Sequence, residues 1–379
     1  MRLNRFGLLA GLLVVCLLCL GSALASDELK PGKPDLKSIG AMTFGPDGVL
    51  FVADSQGAAV FALDVQDKAA APSGDEVPGR GAIIEDVEAK IGSLLGTSAD
   101  NVRINELVVH PQSKRMYMSV TRGQGDSAMP ALVRSDAKGN LEEIGLDNIP
   151  FAKASIDNAP AEDAKDRRGR SLRANTISDV RFSDGVLYVA GLSNEEFASS
   201  LRRIPYPFKG ESASSTLEIF HVAHGQYETH APIRTFMPFN LGGEPHILAS
   251  YTCTPLVAFP VKDLADGEHV KGQTMAELGA GNTPLDMVTY KKGDKTYLLL
   301  ANSNRNMMRI NVEDMLGAPS LTEPMEDLDI GETRGVPYKS LPGAGILHLD
   351  VYNDDLFVML ARDTASGKLN LVPRPTRWM

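Results

Sequence analysis

Thr43-Phe44-Gly45-Pro46-Asp47-Gly48-Val49-Leu50-Phe51-Val52-Ala53-Asp54-Ser55 reads as the end of one apolar strand, a Pro-Asp-Gly turn and a second apolar strand that stops on an acid and a hydroxyl. Asp-Gly between apolar runs is a strong hairpin signal, because both central residues of the tight turn need positive φ. The same phrase recurs outward along the chain. Copies begin near residues 41, 106, 179, 235, 286 and 348, and Ser183-Asp184-Gly185, Lys292-Gly293-Asp294 and Asn353-Asp354-Asp355 supply later first turns. Each copy is a small meander that cannot bury both of its faces alone, so the copies must stack, and radial closure is the usual solution for such sheets.

The reading is therefore an all-β chain forming a six-bladed β-propeller. The repeats are longer than the roughly 40 to 50 residues of compact blades. The excess falls in long inter-blade connectors, near residues 145–176, 209–232 and 313–345. A further connector carries a short helix over 83–95, with apolar side chains at Ile83, Ile84, Val87, Ile91, Leu94 and Leu95. Either segment 30–38 or segment 368–372 would close the ring. No mid-chain linker divides the sequence, so residues 26–379 are read as one domain.

Residues 1–25 have the form of a signal peptide: Arg2 and Arg5, an apolar run from Phe6 to Leu20, and Ala23-Leu24-Ala25 before Ser26. Export to a periplasmic or extracellular space follows, and the absence of any Asn-x-Ser/Thr sequon fits a bacterial envelope. No later stretch is apolar over 18 residues, so no stable membrane insertion is expected after cleavage. Cys16 and Cys19 fall in the signal, leaving Cys253 without an internal disulfide partner in the mature chain. The 379 residues are 43% hydrophobic and carry a net charge of −10, which excludes a disordered chain and argues against nucleic acid as a partner. There is no Gly-x-Ser-x-Gly elbow and no phosphate-cradling loop.

When the copies are superposed on their first strands, Ala41, Glu106, Asp179, Thr235, Asp286 and His348 fall at equivalent positions and should ring the axial channel. Three carboxylates and an imidazole facing one another are costly unless a cation, protons or water lies among them. The alternative is that they cap strands or bond backbone. The stretch quoted above resembles the six-bladed propellers of the NHL-repeat, gluconolactonase and paraoxonase-type group. That resemblance implies Ca²⁺ in the channel, with Glu106, Asp179 and Asp286 as ligands and His348 as a catalytic base.

A second cluster, His221, His224, His230 and Cys253, lies within 33 residues, and imidazole with thiolate suits Zn or Cu. The alternative is a hydrogen-bonded connector over a small buried cysteine. Both clusters should share one face with the turns that hold Arg122, Asn302, Arg305 and Arg362. These four offer donors to an anionic ligand, unless the arginines pair with nearby acids. The leading reading is an exported propeller that binds a metal ion, a small ligand or both at a lidded site on one face. A metal-dependent lactonase or ester hydrolase is the second, and a platform for an envelope protein partner the third.

Overall fold

The computed structural model describes residues 29–74, 77–324 and 331–379. Residues 1–25, expected to be a signal peptide, and their two cysteines lie outside these residues. Six sheets surround one axis, antiparallel except where Thr216–Glu218 runs parallel to His269–Lys271, and each inner strand starts at or within a few residues of a predicted repeat: Met42–Phe44, Val102–Val109, Asp179–Ser183, Thr235–Leu241, Pro284–Lys292 and Ile346–Asn353. The chain is an all-β six-bladed propeller. Asp47 and Gly48 have φ of 53° and 79°, and Asp184 and Gly185 have 51° and 79°, so both Asp-Gly turns take the left-handed conformation that the tight hairpin requires.

Blades do not follow one another in chain order. The first blade consists of Met42–Phe44, Val49–Asp54 and Ala59–Asp64, and its fourth strand is Ile149–Ser155, which arrives only after the whole second blade has been built. The second blade is thus inserted between the third and fourth strands of the first. The third blade then packs on the first, where Ser55 Oγ donates to Ile177 O at 2.9 Å. The second blade closes the ring against the sixth, where Asp350 Oδ2 accepts Val109 N at 2.7 Å.

Of the two closing segments suggested by the sequence, 30–38 is not used, whereas 368–372 lies in the sixth blade and pairs with the connector that enters the second. Lys30–Gly32 pairs along the outer edge of the first blade, and Leu369–Pro375 is the third strand of the sixth. Ile83 and Ile84 form backbone hydrogen bonds with Leu371 of that strand, which extends the sheet. Their extended pairing explains why the helix spans only Val87–Leu94, with Val87, Ile91 and Leu95 turned into the core between the second and sixth blades.

Six large apolar clusters hold the ring together, one at each interface between neighbouring blades. This is the burial that a lone meander lacks. The second strand of the third blade also packs tightly on the turn before its inner strand: a Cβ at Gly191 would lie 2.0 Å from the Thr176 carbonyl oxygen. Gly191→Ala is expected to lower the unfolding free energy by about 1–3 kcal/mol, read from urea denaturation. An unchanged midpoint would show that the segment can shift freely.

Candidate functional site

All six superposed positions line one cavity of about 240 Å³ at the end of the channel where the inner strands begin. Asn105, Ser178 and Arg234 join them there. A second cavity of about 360 Å³ opens at the other end. Its lining includes Thr43, Val108, Arg181, Met237, Val288 and Asp350, each two residues further along its inner strand. Alternate residues share a face of a strand, so the two rings are successive layers of one surface.

Between the cavities lies Arg181, which the sequence reading did not select. Its Nη2 donates to Asp286 Oδ1 at 3.0 Å, its Nη1 lies 3.4 Å from Asp179 Oδ1, and its Nε donates to the Phe236 carbonyl at 3.1 Å. The guanidinium is therefore a cation supplied by the protein, set across the third, fourth and fifth blades.

The aspartates also bond backbone. Asp179 accepts Val180 N and Phe236 N, Asp286 accepts Met287 N and Leu349 N, and Asp350 accepts Val351 N and Val109 N. In each pair the first donor follows the acid in sequence and the second belongs to the next inner strand around the ring. Inner strands are sheet edges with unpaired N–H groups, and a buried unpaired N–H is costly. The three aspartates satisfy those donors and staple neighbouring blades, which is the backbone-bonding alternative read from the sequence.

Glu106 and His348 differ. Among the described residues Glu106 bonds only the N–H of Leu107, and its Oε1 lies 3.2 Å from His348 Nδ1 without a directed hydrogen bond. Burial opposes charge on Glu106, but the imidazole beside it holds the carboxyl below its ordinary range. Burial likewise opposes charge on His348, and Glu106 raises its pKa. Burial and the Glu106 carboxylate push Asp286 up to about 7 against Arg181. Burial pushes Asp179 to about 6 against Arg181, and Asp350 to about 6 against its two backbone donors.

One donor atom from each of Glu106, Asp286 and His348 falls within a span of 4.8 Å, whereas Asp179 lies outside that group. A group with metal-ligand composition is thus present, yet it does not fit Ca²⁺. Calcium needs six to eight oxygen ligands. Arg181 is held against two of the three carboxylates expected to bind it and would repel a divalent ion.

The second cluster lies between the third and fourth blades. His221 ends the strand Ala213–His221, His224 lies in the turn that follows, and Cys253 sits in the turn between Glu244–Ser250 and Pro255–Pro260. Donor atoms of these three residues fall within 4.8 Å of one another. His230 is not among them; its Nδ1 lies 2.9 Å from the hydroxyl of Thr229. Two acids adjoin the group. Glu228 contacts both imidazoles, and although burial opposes its charge they hold it at about 2. Glu277 lies 3.8 Å from His221 Nε2, and burial pushes it up to about 7.

The donors expected from the remaining turns do not line the channel mouth. Arg362 forms a two-pronged ion pair with Glu88 of the helix, and Arg305 donates to the Ala280 carbonyl. Asn302 is buried and bonds Asn282, Leu300 and Asn306 within its own blade, while Arg122 is exposed at a strand end. The arginine that does face the channel mouth, Arg234, immediately precedes the Thr235 position.

No family model and no curated protein matches the chain. Among solved structures it is similar to the GH43 endo-arabinanase from Bacillus licheniformis, at 14% identity over 71% of this chain and 92% of that one, with a TM-score of 0.33.

Proposed function

We propose that the protein binds a small, uncharged, hydroxyl-bearing molecule in the cavity at the start of the inner strands. One observation carries this reading: Arg234 Nε, Thr235 Oγ1 and His348 Nδ1 are buried, lack hydrogen-bond partners among the described residues, and belong to side chains that line the same cavity. Unpaired polar atoms on side chains that line a pocket support a site for a polar ligand, toward which small rotations would turn them. The nearby charges largely offset one another, with Arg181, Arg234 and His348 facing Glu106, Asp179 and Asp286, which favours a neutral ligand over an ion.

A thermal-shift and calorimetric screen of polyols, monosaccharides and sugar lactones tests this reading. At least one compound should bind, and Thr235→Val, which keeps the side-chain shape, should weaken it at least tenfold. Absence of binding at millimolar concentration, or equal binding to the variant, would refute the proposal.

The Glu106–His348 pair favours a second reading, hydrolysis of a lactone or ester held in the same cavity. His348 would exchange the proton while Glu106 orients its ring. Aryl-ester turnover that disappears in a folded His348→Gln variant would support it, and unchanged turnover would remove it. Both readings suit an exported protein that meets its ligand in the envelope. Among the described residues no helix is long and apolar enough to cross a membrane.

A further inference from the structure

We propose that His221, His224 and Cys253 form a binding site for a borderline-soft divalent metal of the Zn²⁺ type, joining the third blade to the fourth. Three features support it besides the proximity of the donors.

First, the orientation of the rings is set from behind. Glu228 Oε2 accepts from Nδ1 of His221 at 2.9 Å, and its Oε1 accepts from Nδ1 of His224 at 2.6 Å. A carboxylate accepts only, so both Nδ1 atoms carry the proton and both Nε2 lone pairs are left available. One acid thus fixes the tautomer of two imidazoles whose centroids are 4.0 Å apart. A carboxylate behind a ligating histidine is the usual outer support of a metal-bound imidazole.

Second, the site contains unanswered buried lone pairs. His221 is only 2% exposed, and its Nε2 has no hydrogen-bond partner among the described residues. Glu277 beside it is 0% exposed, and its Oε1 likewise has no partner. A packed connector would be expected to satisfy these atoms, because an unpaired buried polar group costs about 1–3 kcal/mol. A cation near Nε2 answers both residues at once.

Third, the donor set is selective. Two imidazoles and a thiolate match Zn²⁺ better than hard ions such as Ca²⁺ or Mg²⁺. Zn–N and Zn–S bonds of about 2.0–2.3 Å place the donors of one tetrahedral ion about 3.3–3.8 Å apart. One nitrogen of each imidazole and Cys253 Sγ lie within 4.8 Å of one another, and side-chain rotations would bring the Nε2 atoms and the sulfur to that separation. His224, with 48% of its side chain exposed, stands on the solvent side, and the fourth position is left for water or for Glu277. The charges of the thiolate, Glu228 and Glu277 compensate the ion.

Chelator-stripped protein titrated with Co²⁺ tests the assignment. One Co²⁺ per chain should bind with four-coordinate visible bands and a thiolate-to-cobalt charge-transfer band, and Zn²⁺ should displace it. Cys253→Ser should abolish the charge-transfer band, and the exposed His224→Gln should weaken binding at least tenfold. His224→Gln touches no core packing, so it decides the matter even if Cys253→Ser folds poorly. A titration without the charge-transfer band, or an affinity that His224→Gln leaves unchanged, overturns the site.

Discussion

Arg181→Met should lower the unfolding free energy by about 3–5 kcal/mol, the loss typical when one partner of a buried ion pair is removed. The expectation follows from the position of the guanidinium against Asp286 Oδ1 and Asp179 Oδ1, both carboxylates being almost fully buried. Methionine replaces the packing volume but leaves these acids facing Glu106 and Asp350 without the guanidinium that contacts them. Urea unfolding measures the loss. Arg362→Met is the control, because its pair with Glu88 is partly exposed, with side chains 38% and 20% accessible, and exposed pairs contribute at most about 1 kcal/mol. If the two substitutions cost the same, the guanidinium is not the centre of the channel's electrostatics. The variant also tests the fate of Ca²⁺ in the channel. With the repelling charge gone, Ca²⁺ should stabilise Arg181→Met while leaving the natural protein unchanged.

The fold was legible because its signal is local and repeated. Asp-Gly turns, apolar runs and their recurrence near 41, 106, 179, 235, 286 and 348 all point to stacked meanders, and each inner strand starts at or within a few residues of those positions. The order of blades was not legible. Nothing local distinguishes Ile149–Ser155 as the fourth strand of the first blade from a fifth strand of the second, since the choice depends on which sheet edge stands open when the chain returns. The upper ring of the channel was legible from register alone, as all six superposed positions line one cavity. The lower ring was within reach of the same rule, because period-two alternation carries Asp179 to Arg181 and His348 to Asp350. Applying the period once more would have found the cation that makes a channel Ca²⁺ site unfavourable. The stapling role of the aspartates could not be read, since it depends on a neighbouring blade's N–H that no sequence pattern marks. In the second cluster, the structure brings donor atoms of His221, His224 and Cys253 together, whereas His230 is outside that group and lies against Thr229.

Stability should be greatest near pH 4–5 and should fall by about 3 kcal/mol or more by pH 8, with each unit of pKa displacement contributing about 1.4 kcal/mol. The sign comes from the channel. Burial raises Asp286 from 3.8 to about 7, and Asp179 and Asp350 to about 6. Between the unfolded and folded values the native state holds protons that the unfolded chain has released, so stability declines as pH climbs from about 4 through 7. His348 acts in the same direction. Burial disfavours its charge, but Glu106 raises its pKa overall, so its contribution is complete below 6.5 and is lost as pH rises through the folded value. The acid limit is set by groups displaced the other way: Glu228, held at about 2, together with Glu106 and Asp67, whose lowered pKa values give stability above about 4 that disappears as they protonate. Urea unfolding across pH 4–8, with chelator present so that no metal contributes, measures the curve. Asp350→Asn should flatten its rise toward acid while lowering it throughout, since one amide oxygen cannot serve both Val109 N and Val351 N as two carboxylate oxygens do. Stability that increases from pH 5 to 8 would mean that the staples remain fully ionised in the native state, and that backbone N–H groups and Arg181 outweigh burial at the axis of the ring.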